Sequence, residues 1–217
     1  YTLVAEIAQS FGFGSNARFY LPGIGMSDAG KFLFDQGYTN VVVGDVGEAS
    51  LAYQRNHLCI DEDHCIRSNL LHDTLNPPAD VVVDSSVLDV FLAHPGLPIS
   101  NAVYGMKRQM TDLGLFICFS MNNQTIFRKL KDMFKNIWYA YIRMEAPQSL
   151  RSRTNNRAPR ADVSLWVCTD RTDVNSEAIA GITRGYLSIF LHNPELKDIR
   201  NENLGPDRFF NMSNTTV

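Results

Sequence analysis

Short apolar runs alternate along this chain with stretches whose apolar residues recur at helical spacing. Phe19 to Leu21, Val41 to Val43 and Val81 to Val83 are apolar on consecutive positions, as is the strand-like stretch Leu115 to Ser120 up to its last residue, as strands buried on both faces are. The first three end in turn formers: Pro22 and Gly23, Gly44 and Asp45, Asp84 and Ser85. A weak third strand is expected within His64 to Leu71. Helical spacing marks Tyr1 to Ser10, through Leu3, Val4, Ile7 and Ala8. It also marks Gln124 to Phe134, through Ile126, Phe127, Leu130, Met133 and Phe134. Ala29 to Gln36, Glu48 to His57 and Val103 to Thr111 read as further helices, and Val87 to Leu92 starts another element. Trp138 to Met144 and Val163 to Thr169 alternate as the two strands of a hairpin. This order predicts an α/β domain over residues 1–170: a seven-stranded, mostly parallel sheet with a C-terminal antiparallel hairpin. Residues 171–217 are expected to form a helical extension, with a helix from Ser176 to about Leu191 and a polar, poorly ordered end from Asn201.

The stretch Arg18 to Glu48 carries the chemistry. Between its two strand runs stand Gly23, Gly25, Ser27 and Asp28, then a helix, and the second run ends at Asp45. Glycine lets a ligand approach the backbone, a helix start offers free N–H groups, and a strand-end acid accepts ribose hydroxyls. A dinucleotide turn needs a third glycine, where this chain has Asp28. The spacing resembles motif I of the class I S-adenosylmethionine (SAM) methyltransferases. An ordinary strand–helix–strand unit with a glycine turn is the plainer reading.

Asp84 follows Val83, at a strand end where open α/β sheets bind ligands. It reads either as a contact to a ligand amine or as a helix cap. Asn69 reads either as the polar group that meets an adenine or as a turn amide, with Asp73 as second choice. Asn76-Pro77-Pro78-Ala79 precedes a strand instead of following one, so it reads as a rigid loop.

Composition narrows the class. The chain has 217 residues, 45% of them apolar, and a net charge of −3, which disfavours whole-surface binding of nucleic acid. No apolar run approaches the roughly 20 residues that span a bilayer, and no stretch reads as a signal peptide. The chain opens on Tyr1, as a processed or trimmed chain does. Cys118 and Cys168 lie in apolar runs and read as core. Cys59 and Cys65, with His57 and His64, match no zinc spacing, so no metal is expected. This cysteine usage fits a reducing, intracellular compartment, the cytoplasm or an organelle. Arg151, Arg153, Arg157 and Arg160 crowd the linker from Glu145 to Asp162, which reads as a grip for an acidic protein or RNA, or as a solvated loop.

From Arg18 to Asp170 the chain resembles the Rossmann-like class I methyltransferase fold. A nearer resemblance is to the group containing lysine methyltransferases of translation elongation factor 1-alpha. Leu21-Pro22-Gly23-Ile24-Gly25-Met26-Ser27 is similar to its motif I in both glycines and the serine. Asp45-Val46-Gly47-Glu48 and Asp84-Ser85-Ser86-Val87-Leu88-Asp89 are similar to its second- and fourth-strand motifs. Pro22, Ile24, Met26 and the Ser85-Ser86 pair depart from it. The resemblance implies SAM held by Gly23, Ile24, Gly25, Ser27, Asp45, Val46, Asn69 and Leu70, with Asp84 near its amino-acid end. It implies that Asp84 or Asp89 holds a lysine amine of a protein substrate. A member that has kept the fold and lost catalysis, and an RNA methyltransferase, are the alternatives.

Overall fold

The computed structural model describes residues 1–94, 96–121, 124–145, 160–184, 189–192 and 194–195. The chain runs α1 (Thr2–Ser10), β1 (Arg18–Pro22), α2 (Ala29–Asp35), β2 (Asn40–Asp45), α3 (Glu48–Leu58), β3 (Cys65–Arg67), β4 (Ala79–Ser85) and α4 (Val87–Ala93). It continues through α5 (Ile99–Arg108), β5 (Met110–Ser120), α6 (Gln124–Lys131), β6 (Asn136–Glu145), β7 (Arg160–Thr169), α7 (Ser176–Arg184) and β8 (Ile189–His192). The strands lie in the order β3-β2-β1-β4-β5-β7-β6-β8. The pairings from β3 through β5 are parallel, and β7, β6 and β8 pair antiparallel. The chain winds outward from β1 to β3 and then returns to β4 on the other side of β1. That reversal opens a crevice at the carboxyl ends of β1 and β4, where open α/β sheets bind ligands.

Consecutive apolar residues are needed because both faces are covered. Phe19, Leu21, Val41, Val43, Val81 and Val83 pack with α1 residues such as Val4 and Ile7. Tyr20, Val42 and Val82 point the other way, into a core with Leu88, Val103, Met106 and Phe127. Cys118 and Cys168 are buried there as free thiols.

The seven strands expected from the sequence are present, and the bounds of several elements differ. The helix placed at Val103 to Thr111 runs instead from Ile99 to Arg108, and β5 begins at Met110. Residues after Met110 form an irregularity: Ala79 pairs with Met110, but Val81 pairs with Leu115. Gly114 permits it, since a Cβ there would stand 3.0 Å from the carbonyl oxygens of both Asp80 and Thr111. The helix placed at Gln124 to Phe134 ends at Lys131. The helix expected to reach Leu191 stops at Arg184, and residues Ile189–His192 form β8 on the edge of β6. An open strand edge carries unpaired N–H and C=O groups, and an apolar segment satisfies them better as a strand than as a helix.

The extension is joined to the main body. Ile179 is buried in the core that holds α1. Trp138 donates its indole N–H to Ser176 Oγ at 3.1 Å and stacks on His192 with centroids 4.7 Å apart. Arg151, Arg153 and Arg157 lie outside the described residues, as does the side chain of Arg160 at the start of β7. The polar end, residues 201–217, lies outside them too. No helix among the described residues is long and apolar enough to cross a membrane.

Candidate functional site

β1 delivers the chain to its carboxyl edge at Pro22, paired with Gly44. Gly23 and Gly25 both take left-handed φ values, +60° and +54°, and turn the backbone toward α2. Among the described residues, none beyond its chain neighbours lies within 4 Å of where a Cβ on Gly25 would stand. Over Gly23 the space is taken: a Cβ would stand 2.5 Å from a methyl of Val87. Ile24 donates its N–H to the Gly44 carbonyl at 3.0 Å and buries its side chain in the core. Ser27 Oγ accepts the Ala29 N–H at 3.2 Å and is hydrogen-bonded to the Tyr1 hydroxyl at 2.7 Å, so it finishes the turn.

Asp45 closes the cradle. Its Oδ2 accepts the Gly25 N–H at 2.9 Å and its Oδ1 accepts the Gly47 N–H at 2.8 Å. These bonds aim the carboxylate and leave one acceptor site on each oxygen. Val46, next in sequence, is exposed beside it. The open space over Gly25 and the two remaining acceptor sites of Asp45 suit the ribose of a nucleoside ligand.

The end of β3 is arranged differently from the expectation. Leu70 turns into the second core, and its carbonyl stands 2.4 Å from where a Cβ on Gly105 would be. Its side chain therefore faces α5 and away from the crevice. Asn69 is exposed, and its Oδ1 accepts the Leu71 N–H at 3.0 Å, the turn-amide arrangement. Asp73 accepts the Asn69 N–H at 2.7 Å. Ser68 is the residue that joins β3 to the cradle, donating its N–H to the Asp45 carbonyl at 3.0 Å. Its side chain is hydrogen-bonded to the phenol of Tyr20, whose pKa burial raises. That ring lies against Gly44, where a Cβ would stand 2.5 Å from the hydroxyl oxygen.

Both acids assigned to a substrate amine are engaged elsewhere. Asp84 is 0% exposed. It accepts the Val87 N–H at 2.7 Å, the Leu88 N–H at 3.4 Å and the Cys118 thiol at 3.2 Å. It caps α4 from beneath, and burial pushes its carboxyl up to about 7. Burial, reinforced by Asp84, pushes the Cys118 thiol well above its usual value. Asp89 accepts the Ser120 hydroxyl at 2.6 Å and the Met121 N–H at 3.1 Å, tying α4 to the end of β5. Of the two readings of Asp84, ligand contact or helix cap, its bonds to Val87 and Leu88 are those of a cap: helix N–H groups need an acceptor, and Asp84 supplies it from inside. Asn76-Pro77-Pro78 lies at the opposite, amino end of β4. Among the described residues no group of three or more His, Cys, Asp or Glu side chains is placed to hold a metal.

Sequence reasoning passed over Gln54. It is fully buried on α3, and its Nε2 donates to the carbonyls of Gly25 and Ser27, both at 2.9 Å. The available signal was its position three residues after Leu51, on the inward face of an otherwise polar helix.

No family model and no curated protein matches the chain. Among solved structures it is similar to a probable spermidine synthase from Corynebacterium glutamicum, with a TM-score of 0.60 and 13% identity over 94% of this chain and 76% of that one. The N-methyltransferase NodS of Bradyrhizobium japonicum, solved with S-adenosyl-L-homocysteine, matches with a TM-score of 0.53 and 11% identity over 77% and 85%. The fold is that of the class I methyltransferases. A precorrin-6y C5,15-methyltransferase from Geobacter metallireducens agrees, with a TM-score of 0.54 and 9% identity over 77% and 87%. The Gly-x-Gly turn and Asp45 thus stand on a methyltransferase fold, at the crevice where such a sheet binds ligands.

Proposed function

We propose that this chain binds SAM at the β1–β2 turn and transfers its methyl group to a lysine amine of a protein. The observation that carries the cofactor is the open space over Gly25 beside the oriented carboxylate of Asp45. Asp45 accepts the ribose hydroxyls through its remaining acceptor sites. Gly25 lets the ligand approach the backbone, Gly23 supplies the left-handed turn that leads to it, and Val46 lies along the base. When bound, SAM supplies a methyl group activated by a sulfonium. The chain positions the amine. Lysine as the target rests on the motif resemblance around Asp84 and Asp89. With both acids tied into α4, water takes the proton from the amine.

A second reading has an observation of its own. Val87 covers Gly23 and both acids are committed to hydrogen bonds, as in a chain that kept the fold and lost catalysis. Calorimetry separates binding from its absence. Wild type is expected to give heat with S-adenosylhomocysteine, and Asp45→Ala is expected to lose two charge-assisted bonds of about 1.5–3 kcal/mol each, at least tenfold in affinity. No heat at millimolar ligand refutes the cofactor. Labelled SAM in a lysate, with and without nuclease, then sorts the substrate. A labelled protein band supports the lysine reading and nuclease-sensitive label an RNA target. Binding without label supports the silent member.

A further inference from the structure

We infer that Gln54 is the positioning residue of the cofactor turn. The inference rests on the cofactor reading above and deepens it. The Gly25 peptide is held from two sides: Asp45 takes its N–H, and Gln54 takes its carbonyl. The second amide hydrogen of Gln54 goes to the Ser27 carbonyl. The amide is thereby oriented without ambiguity, because the reverse orientation would set its oxygen against two carbonyl oxygens. Its Oε1 is buried with no hydrogen-bond partner among the described residues.

The orphan oxygen costs stability. An isosteric apolar side chain would remove that cost and leave the Gly25 and Ser27 carbonyls without their donor. The amide therefore serves the turn: it holds two carbonyls still, so that Asp45 and the Gly25 backbone meet a ligand in fixed geometry. Rigidity before binding raises affinity because less order remains to be imposed.

The test uses Gln54→Met, which keeps the volume and removes both donors and the orphan acceptor. Three measurements are made: affinity for S-adenosylhomocysteine by calorimetry, melting temperature without ligand, and hydrogen exchange of the peptide covering residues 23–28. The expected result is at least tenfold weaker binding, a melting temperature close to wild type, and faster exchange confined to the turn. Gln54→Glu is the second variant. It is expected to bind weakly at pH 8 and to recover part of the wild-type affinity, measured at the same pH, at pH 5, where its carboxyl regains a proton to donate. Unchanged affinity in Gln54→Met overturns the role of Gln54 while leaving the cofactor reading intact. A large fall in melting temperature, with exchange faster throughout the sheet, overturns it in favour of a structural role. Absence of heat with wild-type protein removes the cofactor reading and this inference with it.

Discussion

At the scale of single residues, Asp84 has the plainest thermodynamic signature. A free aspartate titrates near 3.8, and in the folded chain burial raises Asp84 to about 7. The folded state therefore holds its proton more tightly than the unfolded state. This contribution is complete below pH 4 and is lost as pH rises through 7. Between pH 5 and 8 the loss is on the order of 2 kcal/mol, at about 1.36 per pH unit until the folded-state pKa is passed. Asp84→Asn lacks the titration, so urea melts at pH 5 and pH 8 should show wild type losing about that much relative to the variant. Parallel pH profiles would refute the buried acid. Gly23 makes a second case. An alanine there takes a left-handed φ and meets Val87, at a combined cost of about 2 kcal/mol. In a Val87→Ala background the steric part should vanish and the backbone part remain. The difference between single and double variants in denaturant melts measures the contact.

At the scale of elements, the C-terminal segment carries the sharpest expectation. α7 buries Ile179 at 1% exposure in the core shared with α1, and β8 completes the edge of β6. If these elements belong to the fold, Ile179→Ala costs about 2–5 kcal/mol, as large-to-small core changes do. A loosely attached appendage would lose less than about 0.5 kcal/mol, the size of a surface change. Chemical denaturation of the variant decides between them. The backbone pairing of Trp138 with His192, and the indole bond to Ser176, join α7 and β8 to one tryptophan.

At the scale of the whole molecule, the site is a property of topology. Gly23 and Val87 lie 64 positions apart in sequence. They meet because β1 and β4 are neighbours at the reversal of strand order. A ligand bound there grips β1, β2 and β4 at once, so it should stabilise the sheet as a unit. S-adenosylhomocysteine at a hundred times its dissociation constant should add about 2.7 kcal/mol and raise the melting temperature by roughly 5–10 °C. An unchanged melting temperature at saturating ligand would contradict a site in the folded sheet.

The sequence by itself determined strands β1 to β7, the order of the crossover helices and the Gly-x-Gly turn with its acid. These are local or periodic signals: Val41 to Val43 must be buried on both faces wherever they sit, and left-handed turns favour glycine. It did not determine which way a side chain faces once two elements meet. Asp84 looked equally suited to a ligand or to a helix. The inward path of β4 and the free N–H groups of α4 made it a cap. Leu70 turned away because Gly105 left room on α5, and the run ending at Leu191 became a strand because β6 had an open edge. Gln54 became part of the cradle only when α3 packed beneath the turn, placing a side-chain amide against two carbonyls far from it in sequence. Such outcomes depend on distances between elements, and periodicity along a single chain carries no information about those distances.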